Sequence, residues 1–197
     1  MWTMNDSDVK PCRLYFATGN RNKFAEVQAI LAGFGLLVHR LRARKIEIQS
    51  SSLKEIAFTA ALQIAEGNRT PVLVEDTGLF IEALKGFPGP YSSFVYRTIG
   101  NEGILRLMKG KRDRAAVFRS AVAFSPRPGE AHVFLAQTTG RVATRMRGAH
   151  WGYDPIFEPD GEGGLTFAEL SRSRKNQISH RSKAFRRFAG WYLRMGS

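Results

Sequence analysis

A chain of 197 residues, 43% hydrophobic and 24% charged, holds enough apolar material for one globular domain or one domain with two lobes, which excludes wholesale disorder. A lone cysteine, Cys12, excludes an intrachain disulfide framework and fits a reducing cytoplasm; no signal-peptide core and no apolar run of about 20 residues points to a membrane. Thirty Lys and Arg against seventeen Asp and Glu give a net charge of +13, which favours a polyanionic partner: nucleic acid, anionic lipid or a phosphorylated small molecule.

The first twelve residues are polar and read as an extension ahead of a folded unit over 13–194. Residues 14–17 read as a short strand that stops at Thr18-Gly19-Asn20. Phe24, Val27, Ile30, Leu31 and Phe34 fall on one helical face, ending around Gly33 and Gly35, and residues 36–38 look like the next strand. Ser52 and Glu55 fit a capping box ahead of a helix striped by Leu53, Ile56, Ala57, Ala60, Ala61 and Ile64. Residues 72–74 read as a buried strand running into Glu75-Asp76-Thr77-Gly78. A turn-rich loop over 86–90 and a helix over 101–109 follow. Residues 116–124 and 132–139 form a predicted hairpin across Ser125-Pro126-Arg127-Pro128-Gly129. A glycine-rich, aromatic loop spans 147–164, and the last helix carries Ala184, Phe185, Phe188 and Tyr192 on one face. Strands alternating with helices, then a hairpin, predict an α/β protein with a mixed sheet.

Four places could carry chemistry. The turn Thr18-Gly19-Asn20-Arg21-Asn22-Lys23 puts a helix N-terminus, a glycine and a lysine where an anion could sit, although the Walker A spacing is absent. Glu75 and Asp76 end an apolar strand; alternation points them to opposite sides, so only one faces a given cleft, as an ion pair with Lys or Arg or as a metal ligand. Glu47 is a further carboxylate beside a strand-like segment. The stretch His150-Trp151-Gly152-Tyr153-Asp154-Pro155 either plugs a core edge or offers a face on which a base stacks. Between Arg172 and Arg187 runs a basic stretch in which His180 and Arg181 fall near a helix N-terminus, where the dipole disfavours cations unless an anion joins them.

Six segments in order resemble the inosine/xanthosine triphosphate pyrophosphatase family, in its archaeal branch. They are Thr18 to Lys23, Glu75-Asp76-Thr77-Gly78-Leu79, Gly86-Phe87-Pro88-Gly89-Pro90-Tyr91-Ser92-Ser93, Gly152-Tyr153-Asp154-Pro155-Ile156-Phe157, Thr166-Phe167-Ala168-Glu169-Leu170, and Lys175-Asn176 with Ser179-His180-Arg181. The resemblance implies an elongated mixed β-sheet with flanking helices and two lobes around a central cleft. It implies magnesium-dependent hydrolysis of ITP, dITP and XTP to the monophosphate and pyrophosphate by a cytoplasmic homodimer that cleans the nucleotide pool, with no stable nucleic-acid partner and no membrane. By the same resemblance Thr18, Gly19, Asn20, Arg21, Asn22 and Lys23 hold the phosphates, with Lys23 and Asp76 catalytic. Glu47 and Asp76 bind the metal, Asp76 also being the general base. Thr77 contacts substrate, and Trp151, Gly152, Tyr153, Asp154, Lys175, His180 and Arg181 form the nucleotide pocket. Trp151 stands where the family commonly has Phe. The alternatives are a basic nucleic-acid-binding protein and a pyrophosphatase for other modified nucleotides.

Overall fold

A computed structural model describes residues 13–43, 46, 48–149 and 151–195; the predicted extension over 1–12 lies outside them. The chain begins with β1 (Leu14–Ala17), whose Leu14 and Phe16 are fully buried. Asn20 then caps α1 (Arg21–Ala32), its side-chain oxygen accepting from the Asn22 and Lys23 N–H groups. After β2 (Val38–Leu41), Ser52 caps α2 (Leu53–Asn68) by accepting from the Glu55 N–H. Only this half of the capping box forms: the Glu55 carboxylate accepts from Ser50 Oγ instead, and Ser50 Oγ takes the Ser52 N–H.

Next come β3 (Val72–Ile81), the short β4 (Pro88–Gly89), α3 (Ser92–Thr98) and α4 (Gly100–Leu107). A long hairpin of β5 (Ala115–Arg127) and β6 (Glu130–Val142) precedes β7 (Phe157–Pro159), α5 (Arg172–Ile178) and α6 (His180–Met195). The seven described strands form one open mixed sheet in the order β2-β1-β3-β5-β6-β7, with β4 paired to β3. β1 runs parallel to β2 and β3; the other pairs are antiparallel.

Against the sequence expectations, the second strand starts at Val38 and the hairpin strands extend further at both ends. The short α3, β4, β7 and α5 occupy stretches without clear periodicity. Glu75-Asp76-Thr77-Gly78 does not end a strand but lies inside one. β5 pairs with every β3 residue from Val72 to Ile81, and this ladder overrides the poor strand propensity of Asp and Gly.

Alternation along β3 and β5 divides the core. Val72, Val74, Ala121 and Ala123 pack on α2 through Ala57, Ala60, Ala61 and Ile64. The opposite face holds two apolar cores: Leu73, Val122 and Phe124 against α1 and α6, and Leu79, Ile81, Phe118 and Phe157 with α4 and Phe167. Between these two cores the same face carries Glu75, Thr77 and Ser120.

Two margins of the sheet are open. β1 reaches β3 only as far as Leu73, and β4 joins it only at Leu79, so residues 74–78 have no described strand on that side. At the rim of this gap, a Cβ on Gly78 would lie 2.4 Å from the Gly89 carbonyl oxygen, so only glycine lets β4 close over. β7 covers just Gly140 to Val142 of β6. Further along that edge, Lys183 Nζ and the Arg187 guanidinium of α6 donate to the Gln137 and Leu135 carbonyls.

Candidate active site

The turn that ends β1 and starts α1 delivers Lys23 and Glu26 to the middle of the sheet face that carries Glu75. Residues three and four apart share a helix face, so Lys23, Glu26, Val27 and Ile30 all turn inward. Lys23 Nζ pairs with Glu75 Oε2 at 3.2 Å, and Arg181 Nε lies 3.0 Å from Glu75 Oε1. Thr77 Oγ1 and Ser120 Oγ donate to that same Oε1 at 2.6 and 2.9 Å. Glu26 bridges the other side: Oε1 accepts from Lys175 Nζ at 2.7 Å and Oε2 from Arg181 Nη1 at 2.5 Å. Lys175 also donates to Asp154 Oδ2 at 2.5 Å. Three carboxylates and three cations from β3, α1, α5, α6 and the aromatic loop thus form one charge-balanced cluster.

Burial alone would raise the Glu75 carboxyl, but the Arg181 and Lys23 charges overcome it and hold it far below the usual carboxylate range. Glu26 behaves alike: burial pushes up, Arg181 and Lys175 pull down, and it rests at about 2. For Arg181 burial works against the charged form and the two glutamates restore it, so its pKa ends above the ordinary one. His180 loses its charge to burial first and to the neighbouring Arg181 second. Its neutral ring stacks on Phe118 at 4.4 Å, and neither ring nitrogen has a hydrogen-bond partner. This buried imidazole thus keeps one donor and one acceptor without a protein partner.

The aromatic loop caps this cluster. The Trp151 ring lies 5.3 Å from both Lys175 Nζ and the Arg181 guanidinium carbon. Two latches hold the loop: Asn101 Nδ2 donates to the Gly152 carbonyl at 3.0 Å, and the Tyr153 hydroxyl donates to the Ser92 carbonyl at 3.0 Å. Gly152 sits at φ +65°, which suits glycine. Tyr153 and Asp154 are therefore buried supports, while Trp151 keeps part of its surface exposed.

Asp76 lies on the other side of the sheet. Two positions from Val74, it is half-buried on the α2 face, so the predicted opposition of Glu75 and Asp76 is what the strand delivers. Both border the gap at residues 74–78, where the Thr18 turn also opens: Gly19 is exposed, a methyl added there would meet nothing within 4 Å, and Arg21 and Asn22 are exposed beside it. Thr18 Oγ1 accepts from the Asn20 N–H and shapes the turn. Glu47 lies outside the described residues. Its neighbour Ile46 donates its N–H to Gln63 Oε1 of α2, on the side that Asp76 faces. Among the described residues no three His, Cys, Asp or Glu side chains form a metal cage. Magnesium asks for less, since one or two carboxylates with waters and substrate phosphates complete its shell, and the half-buried Asp76 fits that demand.

The cluster thus unites Lys23, Lys175, Arg181, Asp154, Trp151, Thr77 and His180, as the sequence reading expects, but it is built on Glu75 and Glu26. Glu75 had no assigned role. Glu26 was missed, although a carboxylate on the buried face of α1, one turn from Lys23, was the available signal.

An open, mixed seven-stranded sheet flanked by helices, with a charged cluster beneath Trp151, defines an α/β protein. Residues 14–191 match the model of the Ham1 family, and the chain belongs to that family. A relative in Methanopyrus kandleri is 51% identical over 181 residues, 91% of this chain and 96% of its own length. One in Thermococcus kodakarensis is 44% identical over 180 residues, 91% and 96% of the two lengths. Both are named dITP/XTP pyrophosphatase. The solved HAM1 protein of Coxiella burnetii is similar with a TM-score of 0.81 at 27% identity, covering 92% of this chain and 98% of that one. The Mycobacterium abscessus nucleoside-triphosphatase / dITP/XTP pyrophosphatase gives 0.70 at 27% identity, covering 89% and 97%. Among the described residues no helix is long and apolar enough to cross a membrane.

Proposed function

We propose that this chain is a nucleoside triphosphate pyrophosphatase that hydrolyses the noncanonical purine nucleotides ITP, dITP and XTP to the monophosphate and pyrophosphate, with magnesium, as a cleaner of the nucleotide pool. The names of its archaeal relatives support the reaction. The observation that carries the assignment to residues is the charged cluster beneath Trp151 at the gap in the sheet.

In this reading the exposed Thr18–Lys23 turn receives the phosphates, its helix N-terminus and Lys23 supplying positive potential. Asp76, across the gap, orients and deprotonates the attacking water. Asp76, with Glu47, would hold magnesium, which would supply charge neutralisation to the phosphates and a lowered pKa to a bound water. Arg181 is fixed by Glu26 and Glu75 through Nη1 and Nε, which leaves Nη2 to donate to O6 of an oxopurine. Adenine would bring an amino donor to that nitrogen and leave both unsatisfied, at a cost of about 1–3 kcal/mol. The base reaches Arg181 when the indole of Trp151 lifts off the two cations and stacks on it instead. In a homodimer, a second copy would cover some of the exposed apolar side chains, among them Tyr91 and Phe94; sedimentation that returns a monomer at working concentration removes this part.

The test is a substrate panel with and without magnesium. Pyrophosphate should appear from dITP and XTP far faster than from ATP, and only with the metal present. Orthophosphate as the product, or equal rates on ATP and GTP, defeats the assignment.

A further inference from the structure

Beyond the cluster, a hollow of about 420 Å3 opens at the far end of the sheet, where β5 begins and β6 ends. Its lining includes Arg112, Arg114, Arg141, Thr144 and Glu158. It is no outlying part of the active site: Ala115 on its wall is five positions from Ser120 along β5, about 17 Å of strand. Its volume falls in the range of small-molecule sites, about 300–1,000 Å3.

Three guanidinium groups line this hollow against one carboxylate. Arg114 is immobilised: Nε donates to the Val142 carbonyl at 2.7 Å, Nη1 to Met108 at 3.2 Å and Nη2 to Ala143 at 2.6 Å. Carbonyls position a guanidinium without cancelling its charge, and two of its five N–H groups remain for another acceptor. Arg141 gives Nε to Glu158 at 2.5 Å, and its side chain is 63% exposed, so its terminal amino groups are accessible. Glu158 is shared, because Arg147 also holds it at 2.6 Å. Arg112 is exposed on the same rim, and the exposed Thr144 adds a hydroxyl donor. A fixed cation, two adaptable ones and a hydroxyl around a concave space suit a compact multivalent anion, since guanidinium forks match phosphate oxygens in pairs.

We propose that this hollow is a second anion site, binding a di- or triphosphate group through Arg112, Arg114 and Arg141. It shares no residue with the proposed active site, so either reading can fail alone. The test is calorimetric titration of the full chain with inorganic pyrophosphate in magnesium-free buffer, comparing wild type with the double variant Arg112→Ala, Arg141→Ala. Both side chains are exposed and Glu158 keeps its Arg147 partner, so the variant should keep a cooperative unfolding transition, with its melting temperature lowered by no more than a few degrees, and wild-type dITP turnover. It should bind one pyrophosphate fewer per chain, or bind that equivalent at least about tenfold more weakly, the scale of lost charge-assisted hydrogen bonds. Equal stoichiometry and affinity in the two proteins overturns the proposal. So does a single-stranded oligonucleotide that binds only the wild type while pyrophosphate binds both alike, which would give these arginines to a nucleic-acid backbone.

Discussion

Glu75 and Asp76 are joined by one peptide bond, yet the first is buried among two cations and two hydroxyls while the second is half-exposed on the alanine-lined α2 face. Period-two alternation alone produces this division. It converts a dipeptide of like charges into one buried acid whose pKa its cations hold far below the usual carboxylate range and one half-buried acid beside the gap. Such a pair places its two acids in different surroundings: Glu75 is tied to Lys23 and Arg181, and Asp76 stands on the opposite face of β3.

The comparison breaks most visibly at Asp76. Asp76→Asn should lower pyrophosphate release about 10²–10⁴-fold, the usual worth of a general base, with a far smaller change in melting temperature than any Glu75 variant. Wild-type turnover in steady-state assay of Asp76→Asn would reassign the base. Glu75→Gln should act the opposite way, destabilising the fold by about 3–5 kcal/mol because two buried cations lose their shared partner. Denaturant unfolding reads this, and an unmoved midpoint would mean the cluster is looser than its distances.

Acid titration sharpens the same contrast through Glu26. Its folded pKa of about 2 lies below the unfolded carboxyl value near 4.3, so its stabilisation is fully present above about pH 4.3 and is lost as pH falls towards 2. Wild type should therefore lose about 2–3 kcal/mol across that window relative to Glu26→Gln, whose acid limb should be shallower. Parallel limbs would contradict the ion pairs. The smallest effect is expected at His180→Phe, which keeps the stack on Phe118 and removes two unpartnered nitrogens. Stability should hold or rise while KM for dITP increases about three- to tenfold, the loss of roughly one hydrogen bond. An unchanged KM would make the imidazole a core filler.

Much of this was legible in the residues. The 3.6-residue stripes of α1, α2 and α6 announced their buried faces, and the Thr18–Lys23 turn and Ser52 announced two helix starts. The placement of His180 and Arg181 at the start of α6 was read from the apolar stripe that follows them, and the structure adds the anions that offset the unfavourable dipole: Glu26 and Glu75. What was not legible depended on contacts distant in sequence. The extension of β3 through Gly78 came from β5, some 45 residues away in the chain. Glu26 looked like an ordinary helix residue until Lys175 and Arg181, 149 and 155 positions later, closed on it. The strands β4 and β7 were too short to leave a pattern.

The free margin of β6 has its own lesson. Lys183 and Arg187 lay their tips over the Gln137 and Leu135 carbonyls, so an approaching strand from another molecule meets acceptors already engaged and two positive charges guarding them. Part of the +13 thus works as a barrier against unwanted assembly. Neutralising both residues would cost the native fold little and instead shorten how long a concentrated solution stays clear.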